Sequence, residues 1–242
     1  MFTDGQTGWG TQLSVLHKLG WRTLLVDPYG TGESPSPPRL FTMEECADAA
    51  VQALDAAGVD RAAILGLSWG GFVGLRVALA APERVVALVL SNSSARRMSP
   101  LERQRDRVLS LLVRIGIPSR PGKSVVAQLL GEYTRRHDPQ FAAELADSID
   151  RLDNVGLSRA MRSVLAERTS VVDALARITA PTLVIDGADD PAFTRGHSAE
   201  LAKRIPGAQL EILPRTGHLA PRESALAVSK LIEQFLTGLN PR

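Results

Sequence analysis

A single cysteine, Cys46, stands in 242 residues, which excludes an internal disulfide framework. It falls in the helical pattern Met43–Ala50, and no His or Cys cluster at metal-ligand spacing surrounds it. Cys46 therefore reads as a packing residue, and no metal or cofactor is expected. No apolar run approaches the roughly 20 residues that cross a bilayer, so no membrane partner is expected. The first residues, Met1–Gln6, lack the basic and apolar stretches of a signal peptide, which makes the cytoplasm the expected compartment. A formal net charge of +2 is small for this length. With neither a basic stripe nor an RNA-type aromatic motif, nucleic acid is not an expected partner.

What the chain does hold is ample apolar material. Its residues are 44% hydrophobic and 22% charged, the composition of a globular domain with a buried core. Short β-branched or Leu-rich runs alternate with longer amphipathic ones, the rhythm of a mostly parallel sheet wrapped by helices, so the expected class is α/β. Strands are predicted at Arg22–Asp27, Arg61–Leu67, Val85–Ser91, Pro181–Asp186 and Ala208–Leu213. Helices are predicted over about 43–57, 71–81, 195–205 and 223–238. The rhythm breaks between about 94 and 176, where helical patterns follow one another without strand signals. That stretch is expected to be a helical lid inserted into a core made of residues 1–93 and 177–242. It carries 14 Lys and Arg against 10 Asp and Glu. Solvated helix faces account for such an excess; a basic lid that draws in anionic substrates is the sharper alternative.

The strongest chemical signal is Gly66-Leu67-Ser68-Trp69-Gly70-Gly71, a G-x-S-x-G motif between a predicted strand and a predicted helix. In that context the serine occupies a strained turn, glycines at 66 and 70 let the neighbouring backbone pass close by, and the hydroxyl of Ser68 is pushed out over the strand ends. The Trp69 N–H, at the helix start, can donate to a developing oxyanion. A serine needs a base near neutral pH. Of the four histidines, His218 follows a predicted strand in the loop Thr216-Gly217-His218-Leu219, where it can face such a serine. His17, His137 and His197 read as ordinary surface or capping residues. An orienting carboxylate is available at another strand end, in Asp186-Gly187-Ala188-Asp189-Asp190-Pro191, where Asp189 and Asp190 compete and Asp186 reads as structural. Asp27-Pro28-Tyr29-Gly30-Thr31-Gly32-Glu33-Ser34 is a further polar strand-end loop, by itself only a turn signal.

These four places together resemble the α/β-hydrolase superfamily, over nearly the whole chain. Asp27–Ser34 is similar to that family's D-x-R-G-x-G-x-S loop, with Tyr29 where Arg is usual. The family's order of nucleophile, acid and base implies Ser68, Asp190 and His218, because the acid usually lies three residues after the strand-end glycine, here Gly187. The stretch Asp186–Pro191 with His197-Ser198 and Ile205-Pro206-Gly207-Ala208 is similar to the 3-oxoadipate enol-lactonase branch. The resemblance implies a serine hydrolase that cleaves a small-molecule ester or lactone, an anionic one if the lid is basic, through an acyl-enzyme. Other chemistries of the same triad (peptide cleavage, acyl transfer, cofactor-free peroxidation) and a non-catalytic ligand binder are the rivals. One departure stands out. The family opens with strands and a His-Gly loop that supplies a second oxyanion donor, whereas Met1–Trp9 resembles the segment just after that loop. Either the chain is a fragment or begins at an internal Met, or the strands at Arg22–Asp27 and Arg61–Leu67 close up and Met1 or Phe2 supplies the donor. The oligomeric state is not legible.

Overall fold

The computed structural model describes residues 2–193 and 195–239. Four strands, β1 (Ala62–Leu67), β2 (Val85–Ser91), β3 (Thr182–Gly187) and β4 (Gln209–Leu213), form one parallel sheet in the order β1-β2-β3-β4. Before β1 come α1 (Gly5–Trp9), α2 (Leu13–Lys18) and α3 (Met43–Ala56), and α4 (Trp69–Ala80) joins β1 to β2. Between β2 and β3 the described elements are all helical: α5 (Pro100–Arg114), α6 (Gly122–Leu129), α7 (Glu132–His137), α8 (Pro139–Asp150), α9 (Asn154–Met161) and two shorter turns over 162–166 and 172–177. Helix α10 (Arg195–Arg204) precedes β4, and α11 (Ala220–Glu223) and α12 (Ala225–Leu236) follow it.

The helix starts follow from local chemistry. Thr42 and Glu45 form a reciprocal capping box on α3, and Ser99 and Glu102 do the same on α5, with Pro100 in its first turn. Asp138 and Asp153 cap α8 and α9 through their side chains. Strands β2 and β3 read as unbroken apolar runs because both sheet faces are covered. On one face Leu88, Leu90 and Val184 pack against Leu75, Leu201 and Ile205 of α4, α10 and the turn after α10. On the other, Ala87, Val89, Leu183 and Ile185 pack against Trp9, Leu16, Val228 and Ile232 from α1, α2 and α12.

The expected strand Arg22–Asp27 does not form. Residues 22–27 are irregular and pair with no strand, and Leu24 and Val26 are half exposed at 50% and 52%. The apolar run carries β propensity, but a strand also needs a neighbour to take up its N–H and C=O groups. Among the described residues no strand lies beside it, so it does not close up on β1, which stays an edge of the sheet. The single helix expected over 223–238 is broken at Ser224 into α11 and α12.

Candidate active site

Ser68 sits between the end of β1 and the start of α4 at φ 51°, a left-handed conformation that side chains rarely adopt. Its N–H donates to Ser91 O at 2.8 Å, so the neighbouring strand β2 fixes the turn, and Ser93 Oγ donates to Ser68 O at 3.1 Å. A Cβ on Gly66 would lie 2.4 Å from the Gly70 backbone, which explains the first glycine of the motif. The second is a correction. A Cβ on Gly70 would meet open space, whereas one on Gly71 would lie 2.3 Å from Ser93 Oγ, so the crowded position is one residue later than expected. Trp69 begins α4, so its N–H has no partner within the helix and faces the end where a developing negative charge is favoured.

The structure brings Asp190 and His218 together. His218 Nδ1 lies 2.8 Å from Asp190 Oδ2, with both side chains almost wholly buried. Since the carboxylate only accepts, Nδ1 carries the proton and Nε2 is left as the basic nitrogen. Asp189 is exposed and meets the loop only through its N–H, which donates to Thr216 O. Burial pushes the Asp190 carboxyl up, but the hydrogen bond and charge of His218, with donors from Asn92 and the Ala192 N–H, outweigh it and hold the group below the usual carboxylate range. Asp186 goes the other way: burial, reinforced by the nearby Asp190, raises it despite a 2.5 Å hydrogen bond from Ser198 Oγ. Ser68 Oγ makes no hydrogen bond among the described residues, so the Ser68–His218 bond is open in this resting geometry. Such bonds commonly tighten only when substrate is bound.

Three groups with a part in this arrangement escaped the sequence. Asn92, at φ 47° just past β2, donates from Nδ2 to Asp190 Oδ2 at 2.9 Å and to Gly217 O at 3.1 Å. Its place at a strand end was the one available signal. Glu223 accepts from the N–H of Gly131 at 2.8 Å and of Leu219 at 2.9 Å, and burial raises its carboxyl despite these donors. Leu129 O accepts from the His218 N–H at 2.7 Å. The base-bearing loop is thus tied to the end of α6, and the backbones of Gly131 and Gly217 approach so closely that a Cβ on Gly217 would lie 2.1 Å from Gly131 N. Nothing in a linear sequence marks a contact between positions so far apart.

The other histidines divide. His17 and His137 are exposed, bonded to Thr23 Oγ1 and Tyr133 O respectively. His197 is not the surface residue expected: it is half buried, 2.9 Å from Ser94 Oγ, with the Phe193 ring between it and His218. Burial, then the charges of Arg96 and Arg168, lower its pKa. Cys46 packs with Met43 and Trp69, and burial pushes its thiol up to about 12. Asp27 organises its loop, accepting from the N–H of Gly5 and of Glu33, and a Cβ on Gly32 would collide with its carboxylate. Tyr29 stacks edge-on against Phe41, which in turn stacks on Trp69 at 5.6 Å. Phe2 packs, partly buried, against the apolar cluster that includes Leu130, Phe141 and Leu219, and Met1 lies outside the described residues. No group of three His, Cys, Asp or Glu stands ready for a metal among the described residues, and no described helix is long and apolar enough to cross a membrane.

A strained serine on a strand–turn–helix, backed by a buried Asp–His pair at the ends of later parallel strands, defines the α/β-hydrolase class of enzyme. The family profile for the alpha/beta hydrolase fold matches residues 5–224, and the chain belongs to that family. It is 32% identical over 236 residues to a Variovorax paradoxus protein provisionally named carbamate hydrolase RutD, covering 96% of this chain and 87% of the relative. Among solved structures it is similar to a thermophilic esterase from Thermogutta terrifontis, with a TM-score of 0.90 and 28% identity over 98% of this chain and 86% of that one. It is also similar to the enol-lactonase from Burkholderia xenovorans LB400, with a TM-score of 0.86 and 26% identity over 98% and 88% of the two chains.

Proposed function

We propose that this hydrolase cleaves a carboxylic ester or lactone of a small molecule through an acyl-enzyme on Ser68. The observation that carries the reading is the left-handed Ser68 turn beside a buried Asp190–His218 pair. His218 Nε2 takes the Ser68 proton as Oγ attacks the carbonyl carbon, and Asp190 stabilises the imidazolium. The Trp69 N–H receives the oxyanion, with a second donor assigned to the N-terminal segment at Phe2. His218 then returns its proton to the leaving alkoxide, and a water molecule, deprotonated by His218, releases the acid. Losing one such donor typically costs about 10²–10³-fold in rate. Residues 94–176 act as the lid over this site. The likeness to an esterase and to an enol-lactonase supports this substrate class.

The test is a fluorophosphonate probe on the purified chain, with the adduct located by mass spectrometry. Labelling at Ser68 that disappears in Ser68→Ala and His218→Ala is the expected result, followed by turnover of short esters and lactones. A folded chain that stays unlabelled would overturn the reading.

A further inference from the structure

A cluster of arginines gathers away from the triad. Where α5 and α9 meet the loop before α3, a cavity of about 410 Å³ is lined by Arg39, Arg107, Arg114, Arg159 and Arg162, and by no Asp or Glu. None of Ser68, Asp190 and His218 lines it. Its volume lies within the range of small-molecule sites.

The guanidiniums are only partly neutralised. Glu45 takes Arg39 at 2.6 and 3.1 Å, and Glu167 takes Arg107 at 2.9 Å through both of its oxygens. Arg162 reaches the same Glu167 at only 3.4 Å, and Arg159 bonds a neutral carbonyl, Pro37 O. Arg114 has no hydrogen bond or ion pair among the described residues. Two carboxylates against five guanidiniums leave three positive charges uncompensated around one concavity. Gathering like charges is unfavourable unless something of opposite sign lies between them.

Two further observations point to a ligand. Ser158, only 7% exposed, lines the cavity, and its hydroxyl has no partner among the described residues. A hydroxyl that lines a cavity with no protein partner is placed to donate to an occupant. The cavity's five cations are all arginines, and Arg presents a planar fork that grips phosphate oxygens in pairs and sheds water more readily. Leu40 and Leu111, 37% and 59% exposed, give the cavity an apolar rim.

We infer that this cavity is a binding site for a multiply charged phosphate group, a diphosphate either free or esterified to a small organic group. It is separate from the ester or lactone substrate at Ser68, and its test is independent of the labelling experiment. Inorganic pyrophosphate and ADP are titrated into the full chain by calorimetry and thermal shift at low salt. Saturable binding is expected, weakening as salt is added. Arg114→Glu and Arg162→Glu should each weaken it at least tenfold, while Arg135→Glu, a lid arginine outside the cavity, should not. Arg114→Gln checks the result without charge reversal at an exposed position that has no partner to lose, and Ser68 labelling should survive in Arg114→Glu. Tighter binding of ADP than of pyrophosphate assigns the ester form; equal or weaker binding of ADP assigns the free diphosphate. Absence of saturable binding by both, or an equal loss in Arg135→Glu, would overturn the site.

Discussion

Asn92 and Asp190 leave adjacent parallel strands at the same end of the sheet, and Asn92 Nδ2 donates to Asp190 Oδ2 at 2.9 Å. The same amide group also holds Gly217 O, the carbonyl next to the base. One side chain therefore sets both the acid and the loop that carries His218. Asn92→Ala should lower kcat by about ten- to a hundredfold while KM stays near its original value, because the lost bonds orient the base rather than touch substrate. It should also destabilise the fold by about 1–3 kcal/mol, since buried acceptors lose their donor. Steady-state kinetics and denaturant unfolding measure the two effects.

Glu223 spans the Gly131 and Leu219 N–H groups with its two carboxylate oxygens. In Glu223→Gln one oxygen becomes an NH₂ that must face an N–H donor, a loss of about 1–3 kcal/mol. For a chain of this size that corresponds to a fall in Tm of roughly 2–12 °C. A Tm unchanged to within a degree would remove Glu223 from this role.

Gly217 and Gly131 should respond unequally to substitution. A Cβ at Gly217 lies 2.1 Å from Gly131 N, while one at Gly131 lies 2.9 Å from Gly217 N. Gly217→Ala is expected to displace His218 and abolish labelling of Ser68; Gly131→Ala should reduce it less. The reverse ranking would contradict the geometry.

The Asp190 carboxyl is held below its usual range. Its stabilising effect is thus complete above the unfolded-state value of about 3.9, and is lost as pH falls through the lower folded-state value. Asp186 and Glu223, raised by burial, bind protons more tightly when folded, and what they contribute declines as pH rises from the unfolded value through the folded one. Asp190→Asn should therefore flatten the acid limb of the stability curve. Chemical unfolding followed from pH 3 to 7 reads this directly.

Exposure separates two leucines of equal chemistry. Leu183, 1% exposed in β3, should cost about 2–5 kcal/mol when cut to Ala, while Leu24, 50% exposed, should stay within about 0.5 kcal/mol. Paired urea titrations settle the comparison.

The contrast between those leucines also shows where the sequence stops informing. Strands β1 to β4 were legible because their apolar residues are bounded by turn chemistry, and β2 and β3 are also covered on both faces. Arg22–Asp27 has the same local composition, but whether it becomes a strand depends on a neighbour that composition cannot reveal. Ser68 was legible because its chemistry, its glycines and its strand–helix context fall within a few residues. His197 was misread, since a helix assignment says nothing of the Phe193 and Ser94 that enclose it. Asn92 and Glu223 act through partners more than 90 positions away, at Asp190 and Gly131, and only folding brings those together.

The tie between the end of α6 and the His218 loop constrains how this enzyme can admit its substrate. Because Leu129 O holds the His218 N–H and Glu223 bridges to Gly131, any swing of that flank would carry the base out of line. The opposite flank is tied as well, since Phe41 N–H donates to Ser163 Oγ at 3.0 Å where Ala160 and Val164 pack with Phe41, Trp69 and Phe72. Motion of the helices between β2 and β3 therefore has to break a hydrogen bond on either flank, and only on the first of them does that bond hold the base.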